Sequence, residues 1–446
     1  MKIKEIEQFI KDNIKSSEYY VIVSRSQGFN VRFSDNKIIS NGVGDSYDLS
    51  ITTIIDKKVG SSSTSDISKE GILECIKNSY NQASFSLVSE DYYPLVSDEY
   101  LDEKEIESPN FEFILSDIEK KLFNIFSKDP SLRVFGYITG SFLDITLFNS
   151  EKLYKRSFLQ EFNYSMNIKD MDIKRSVWQG SVSSFYKKDE LERLYNILLN
   201  DFKNTKIIKS QKEGRYNVIL SPSALSDMLL YLLYFMSFQD ACEGKSPFSS
   251  LKREKIFPDY ITLYTDPNLK EMKSIPFLLF NQSSVNHKFD LGLSLKKEYL
   301  IKDGVLKSLI SNRFFDDKMK NTENIYPPSN LILKGSSLTF EEFIKDIDDA
   351  LYINNLWYIR EVDPITGLLT GLTRDGVYTV KNGKIINSIN NFRFNQSPIK
   401  VLENILKLSA SYLTLPREFG GESALNVVAP YVYVKDFNLS SVSKAI

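Results

Sequence analysis

Hydrophobic spacing along the chain switches repeatedly between the two periods that separate helices from strands. Ile3, Ile6, Phe9, Ile10 and Ile14 fall on one face of a helix over about Ile3–Ile14. Tyr19–Val23 and Asp48–Asp56 have strand character. Asn30–Ile39 alternates, with Val31 and Phe33 set against Arg32 and Ser34, and Asp35-Asn36 marks a turn. Ser68 is placed to N-cap a helix from Lys69 to about Ala83, and Phe113, Ile114, Ile118, Leu122 and Phe126 define another over Phe111–Ser127. Leu132–Tyr137 and Ser141–Phe148 read as a hairpin around Thr139-Gly140. Tyr154–Met166 and Val177–Phe185 read as strands, and Asp189–Phe202 as a helix.

Polar stretches divide this pattern. Ser89–Pro109 is acidic and irregular, and Lys203–Gly214 is a polar, Lys-rich connection; together they suggest units at 1–100, 105–205 and 212–446. In the last unit Tyr216–Leu220 is a short apolar strand. Ser221-Pro222 then starts a helix, Ala224 to about Gln239, that is apolar almost all round and therefore buried on most sides. Thr339 and Glu342 have capping-box spacing at the start of a helix over Leu338–Leu351. Strands at Leu356–Arg360, Val377–Val380, Lys384–Phe392 and Val428–Val434 and a helix over Pro398–Ser409 complete the reading. No tandem repeat occurs. Hairpins with separate helices point to the α+β class.

Composition narrows the function classes. The 446 residues exceed one ordinary hydrophobic core, and 30 Phe with 25 Tyr favour large buried side chains and sheet. Lys+Arg 56 against Asp+Glu 58 gives a net charge of −2, without the basic excess that neutralises phosphates, which argues against direct DNA binding. Cys75 and Cys242 match no zinc or redox motif and fit a reducing compartment. The N-terminus lacks the apolar stretch of a signal peptide, and the most apolar run, Met228–Phe238, is too short to cross a bilayer, so a cytoplasmic location is expected.

Candidate chemistry is scarce. His287 is the only histidine, which excludes any two-histidine site within one chain, and no nucleophile elbow, P-loop or dinucleotide fingerprint accompanies it. Ser61–Asp66 reads as a solvated loop or, alternatively, an anion-binding loop. Asp346, Asp348 and Asp349 read as a solvated helix face or, alternatively, ligands for a hard cation. Cys242 is either a reactive thiol or a small buried one. Three Ser-x-x-Lys matches (Ser184 with Lys187, Ser294 with Lys297, Ser397 with Lys400) are expected by chance in so Ser- and Lys-rich a chain.

Several segments acquire meaning from their order. Val31–Ile38, Lys58–Asp66 and Tyr92-Tyr93-Pro94-Leu95 come first. Val218-Ile219-Leu220-Ser221-Pro222, Gly244-Lys245-Ser246-Pro247 and Leu300–Leu306 follow. Asp363-Pro364-Ile365-Thr366-Gly367, Gly376–Ile385 and Asn391-Phe392-Arg393-Phe394-Asn395 close the series. In this order and spacing they resemble the TldD/PmbA family; about 105–205 resembles it only in length and pattern. The resemblance implies largely antiparallel sheets with packed helices, an N-terminal α/β region and a larger β-rich C-terminal domain.

In the TldD branch the segment matching Val218–Pro222 leads into a helix bearing H-E-x-x-x-H. Its two histidines, with a later cysteine, hold a zinc-type ion, and its glutamate serves as base. Counted forward without gaps, Leu230 and Tyr231 stand here at the H-E pair and Phe235 at the second histidine. The resemblance therefore implies the PmbA/TldE branch, once labelled a modulator of DNA gyrase. That branch contributes no catalytic residue and no metal ligand, and forms a heterodimer with a TldD-like protease subunit that carries the zinc-type ion. Unfolded or leader peptides are the implied substrate, with no nucleic acid and no membrane. The alternatives are a stand-alone peptidase with a non-standard or shared site involving Cys242, His287 or the acidic cluster, and a gyrase modulator.

Overall fold

Helix α1 (Ile3–Asn13) leads into β1 (Glu18–Ser34) and β2 (Lys37–Ile55), which pair antiparallel along their length. They turn at Asp35-Asn36, both at positive φ (53° and 59°), a conformation that short polar side chains tolerate. The computed structural model describes residues 3–129, 131–170, 175–204, 208–250, 254–269, 272–279, 286–419 and 425–443. After β3 (Lys58–Thr64) come α2 (Lys69–Phe85), β4 (Tyr100–Asp102), α3 (Phe111–Lys128), β5 (Arg133–Asn149), β6 (Tyr154–Asp170), β7 (Arg175–Ser183) and α4 (Glu190–Asn204). The strands form one sheet in the order β3-β2-β1-β5-β6, with β4 and β7 sharing the far edge of β6. Strands from both sides of position 100 thus belong to the same sheet.

Two local expectations change here. No hairpin forms at Thr139-Gly140, because β5 runs straight through and pairs Gly140 with Phe29 on one side and Phe162 on the other. A Cβ built on Gly140 would lie 2.3 Å from Phe29 Cε1 and 2.7 Å from Phe162 Cε1, so this glycine marks a close approach of two rings rather than a turn. The serine run is likewise no loop. Ser61–Thr64 lie in β3 opposite Leu49–Thr52, with Ser61 and Thr52 hydroxyls 2.8 Å apart.

The second half supplies β8 (Ile208–Lys209), β9 (Gly214–Leu220), α5 (Pro222–Phe235), α6 (Phe238–Cys242), β10 (Leu263–Thr265), β11 (Glu298–Lys302), β12 (Val305–Leu306), α7 (Arg313–Met319) and β13 (Asn330–Leu333). It continues with α8 (Phe340–Ile344), β14 (Asp349–Asp363), β15 (Leu368–Lys381), β16 (Lys384–Ile389), β17 (Asn391–Gln396), α9 (Pro398–Glu403), β18 (Ile405–Thr414) and β19 (Asn426–Ser443). The pairings β19–β9–β14–β15–β17–β19 close a circuit, and β19 also carries β18 and, through parallel β13, the run to β12. The class is α+β, with sheets that are mainly antiparallel.

Strand pairing shortens three of the expected helices. Leu338–Leu351 keeps only α8, with its capping box intact, because Leu351–Ile353 pair with both β9 and β15. Pro398–Ser409 stops at Glu403, and Ile405 joins β19. The long apolar helix stops at Phe235, where Met236 and Phe238 exchange backbone hydrogen bonds with Ile310 (2.8 Å each) and Ser237 caps α6. One core packs around α5 within the second sheet. Another lies between the sheets, joining α3, α4 and residues such as Phe162 and Tyr164 to Ile219, Phe343, Tyr352 and Val380.

Candidate functional site

Helix α5 is held at its start by Ser221, whose hydroxyl accepts from the Ala224 N–H (3.0 Å) and donates to the Asn354 carbonyl (2.5 Å). Pro222 occupies the first turn, where a missing N–H costs nothing. Leu230 and Phe235 are buried in the surrounding core. Tyr231 is half-buried; its hydroxyl donates to the Ile359 carbonyl (2.7 Å) and its ring meets Phe419 at 5.3 Å. Burial, reinforced by the Glu418 charge, pushes the Tyr231 phenol up to about 12.

One turn earlier, α5 presents Asp227 to the segment 415–419. Its carboxyl is fully buried and accepts from the backbone N–H groups of Arg417 (3.2 Å) and Glu418 (3.1 Å). Burial pushes Asp227 well above the ordinary carboxyl range, and those N–H bonds pull the other way without overcoming it. The Glu418 carboxylate in turn accepts from the successive N–H groups of Tyr358 (2.7 Å) and Ile359 (3.1 Å) and pairs with Arg360 at 3.2 Å.

Those N–H groups are exposed by irregularities between β14 and β15. The register shifts between Ile353 and Asn355 and again between Trp357 and Arg360. Tyr358 takes φ 53°, a rare conformation for an aromatic residue, and on the facing strand Asp375 and Gly376 take φ 51° and 130°. Bulges re-aim side chains. Asp375 accepts from Ser176 of β7 and pairs with Arg417 at 3.1 Å, while Arg374 Nε lies 3.7 Å away. Burial opposes its charge, but Arg417, the Ser176 hydroxyl and Arg374 outweigh that and hold Asp375 below the usual carboxylate range. The Arg417 guanidinium stands 5.0 Å from the Trp178 ring and 5.2 Å from the Trp357 ring. Asn354 ties β14 to β7 by donating to the Trp178 carbonyl (2.8 Å).

Two sequence models match this chain: PmbA/TldA metallopeptidase domain 1 over residues 19–83, and the PmbA/TldA metallopeptidase C-terminal domain over residues 213–441, a little more than half its length. The chain belongs to the TldD/PmbA family. TldE from Thermococcus kodakarensis has the same fold, with a TM-score of 0.79 and 16% identity over 98% of each chain. An uncharacterised protein of Methanocaldococcus jannaschii is 24% identical over 86% of this chain and 89% of its own. A metalloprotease PmbA homolog of Buchnera aphidicola is 28% identical over 43% of this chain and 41% of its own.

Within this TldD/PmbA fold, the three α5 residues that the sequence reading sets at the H-E-x-x-x-H positions do not suit a metal. Leu230 and Phe235 have no donor atom, and the Tyr231 hydroxyl is committed to a backbone carbonyl. The other candidates lie apart from one another. His287 is buried, its Nδ1 3.7 Å from Asp290, which Arg313 holds at 2.7 Å. Cys242 is exposed at the end of α6; Cys75 is on the buried face of α2, where burial raises its thiol pKa. Asp346 faces Lys407 (3.5 Å) and Asp349 faces Lys381 (2.6 Å), so the acidic cluster is divided between a turn and a strand. Lys400 pairs with Glu403 (2.6 Å) and Ser294 donates to Glu99 (2.6 Å). Among the described residues no group of three or more His, Cys, Asp and Glu is placed to hold a metal ion. Nor is any helix there long and apolar enough to cross a membrane.

Arg417, Trp357 and Asp375 escaped sequence reading because they meet only through tertiary contacts. The signal present was modest: Asn354-Asn355 interrupts an apolar strand, and Arg374-Asp375-Gly376 places the Asp-Gly of a bulge inside another.

Proposed function

We propose that this chain is a PmbA/TldE-type, non-catalytic subunit of a two-chain metallopeptidase whose TldD-like partner carries the metal and the catalytic groups. The observation that supports this reading is the surface of α5. Leu230, Tyr231 and Phe235 fill it with hydrocarbon and rings, the one hydroxyl among them is engaged with Ile359, and the chain holds a single histidine. The helix is then secured by packing, at roughly 1.5–3 kcal/mol for each fully buried side chain, instead of by a metal. No step of hydrolysis runs through this chain's residues. Its part is to complete a chamber in the cytoplasm and to steady the partner's site, while unfolded or leader peptides enter as extended strands that add to a sheet edge.

Affinity purification of the full chain from its own cells tests this. The reading expects a co-purifying TldD/PmbA protein bearing H-E-x-x-x-H, with the metal in that protein. Recovery of this chain with its own stoichiometric transition metal and no such companion would overturn it.

A further inference from the structure

Around the first two of the three β14–β15 irregularities the charges and hydrogen bonds do not balance. Arg374 and Arg417 share one carboxylate, Asp375, leaving a net positive charge at a place where their side chains are only 28% and 15% exposed. Among the described residues the Nε atoms of both arginines are without hydrogen-bond partners. Asn355 lies opposite Arg374 in the ladder and two residues before Trp357, so all three share a face of the sheet. Its side chain is fully buried, yet among the described residues neither amide atom has a partner. Buried polar groups are ordinarily satisfied, so three N–H donors here, Arg374 Nε, Arg417 Nε and Asn355 Nδ2, lack an acceptor among the described residues, as Asn355 Oδ1 lacks a donor.

The donors point to a chemical class. A guanidinium is a planar fork of N–H donors that matches the two oxygens of a carboxylate, and Arg417 bonds Asp375 (3.1 Å) and Asn167 (3.4 Å) through Nη2, which leaves the other donors of its fork to a ligand. Both guanidiniums lie 5.2 Å from the Trp357 ring, which fixes their planes and leaves an apolar wall beside them. The protein already binds a carboxylate of its own at the adjoining irregularity, where Glu418 takes two successive N–H groups.

We infer that Arg374, Arg417, Asn355 and Trp357 form a carboxylate-binding subsite for a peptide. The peptide's role rests on the proposed function, whereas the carboxylate recognition rests on the geometry above. The carboxylate comes either from the peptide's C-terminus or from an acidic side chain.

The chain has two tryptophans, Trp178 and Trp357, and both touch Arg417, so tryptophan fluorescence, excited beyond the absorption band of the 25 tyrosines, reports this cluster. The purified full chain is titrated with acetyl-tetra-alanine as the free acid, with its C-terminal amide, and with an amide-capped peptide carrying one aspartate. A saturable change with the free acid only assigns the terminal carboxylate; a change with the aspartyl peptide only assigns the side chain; a change with both, and none with the neutral amide, leaves the subsite accepting either. Arg374→Gln, at the more exposed arginine, weakens the responding peptide by about tenfold, as expected for the loss of a charge-assisted pair. Arg417→Lys, which keeps the charge and removes the planar edge, weakens it as well. No saturable change with any peptide, or an equal change with the neutral amide, overturns the inference. Because the titration uses this chain alone, its outcome is independent of whether a TldD-like companion is recovered.

Discussion

Asp227 is the residue whose protonation most directly marks the buried side of α5. Its folded pKa is raised by burial, while in the unfolded chain it returns to an ordinary value of about 3.9. Between those two values the folded protein holds a proton that the unfolded chain has released, so this carboxyl's contribution to stability is complete at low pH and declines as pH rises. Asp227→Asn keeps the side chain's size and one accepting oxygen for the 415–419 backbone, and removes the titration. Urea midpoints measured from pH 4.5 to 8 should therefore fall in the wild type relative to the variant; parallel pH profiles would contradict the assignment. At the neighbouring positions, Leu230→Ala should cost about 2–5 kcal/mol from the same denaturation curves, and Tyr231→Phe, which leaves the Ile359 carbonyl with Arg360 Nη1 alone as donor, about 1 kcal/mol or less. Local chemistry at this scale is readable in sequence. Ser68, Ser221, the Thr339–Glu342 box and the Asp35-Asn36 turn act as their residue types and spacing suggest. Arg417 is not readable in this way, because its partners lie 42 and 250 positions away in the chain.

Elements were legible where their own pattern decides them. The helices α1, α2, α3 and α4 occupy nearly the residues that hydrophobic spacing predicts. The misreadings came where tertiary pairing overrides local preference. Leu351–Ile353 follow a capped helical start, yet they supply ladder partners to strands on both sides; Gly140 looks like a turn residue, yet it makes room for two phenylalanine rings. The start of α5 combines both kinds of control, since Ser221 caps the helix and also bonds β14. Ser221→Ala should accordingly cost more than an isolated cap, about 1–2 kcal/mol, and should loosen β14 together with the helix. Hydrogen exchange read at Ala224 and around Asn354 checks this; protection lost at the helix alone would show that the two elements are not coupled through Ser221.

At the scale of the whole molecule, the two sheets share a core. Phe162, Tyr164 and Leu194 from the first half pack in one cluster with Ile219, Phe343 and Tyr352 from the second, and Ser176, Trp178 and Asn167 join the Arg417 network. The full chain should therefore unfold in a single calorimetric transition, and two well-separated transitions would refute that coupling. The central claim, that this family member supplies architecture and leaves the chemistry to a companion, is tested most directly by peptide cleavage and metal content measured on the purified chain, on the H-E-x-x-x-H companion, and on the two mixed. The account predicts no cleavage and no stoichiometric metal for this chain alone, and cleavage in the mixture with the metal held by the companion. Turnover by this chain alone, with a transition metal bound to it, would contradict the account.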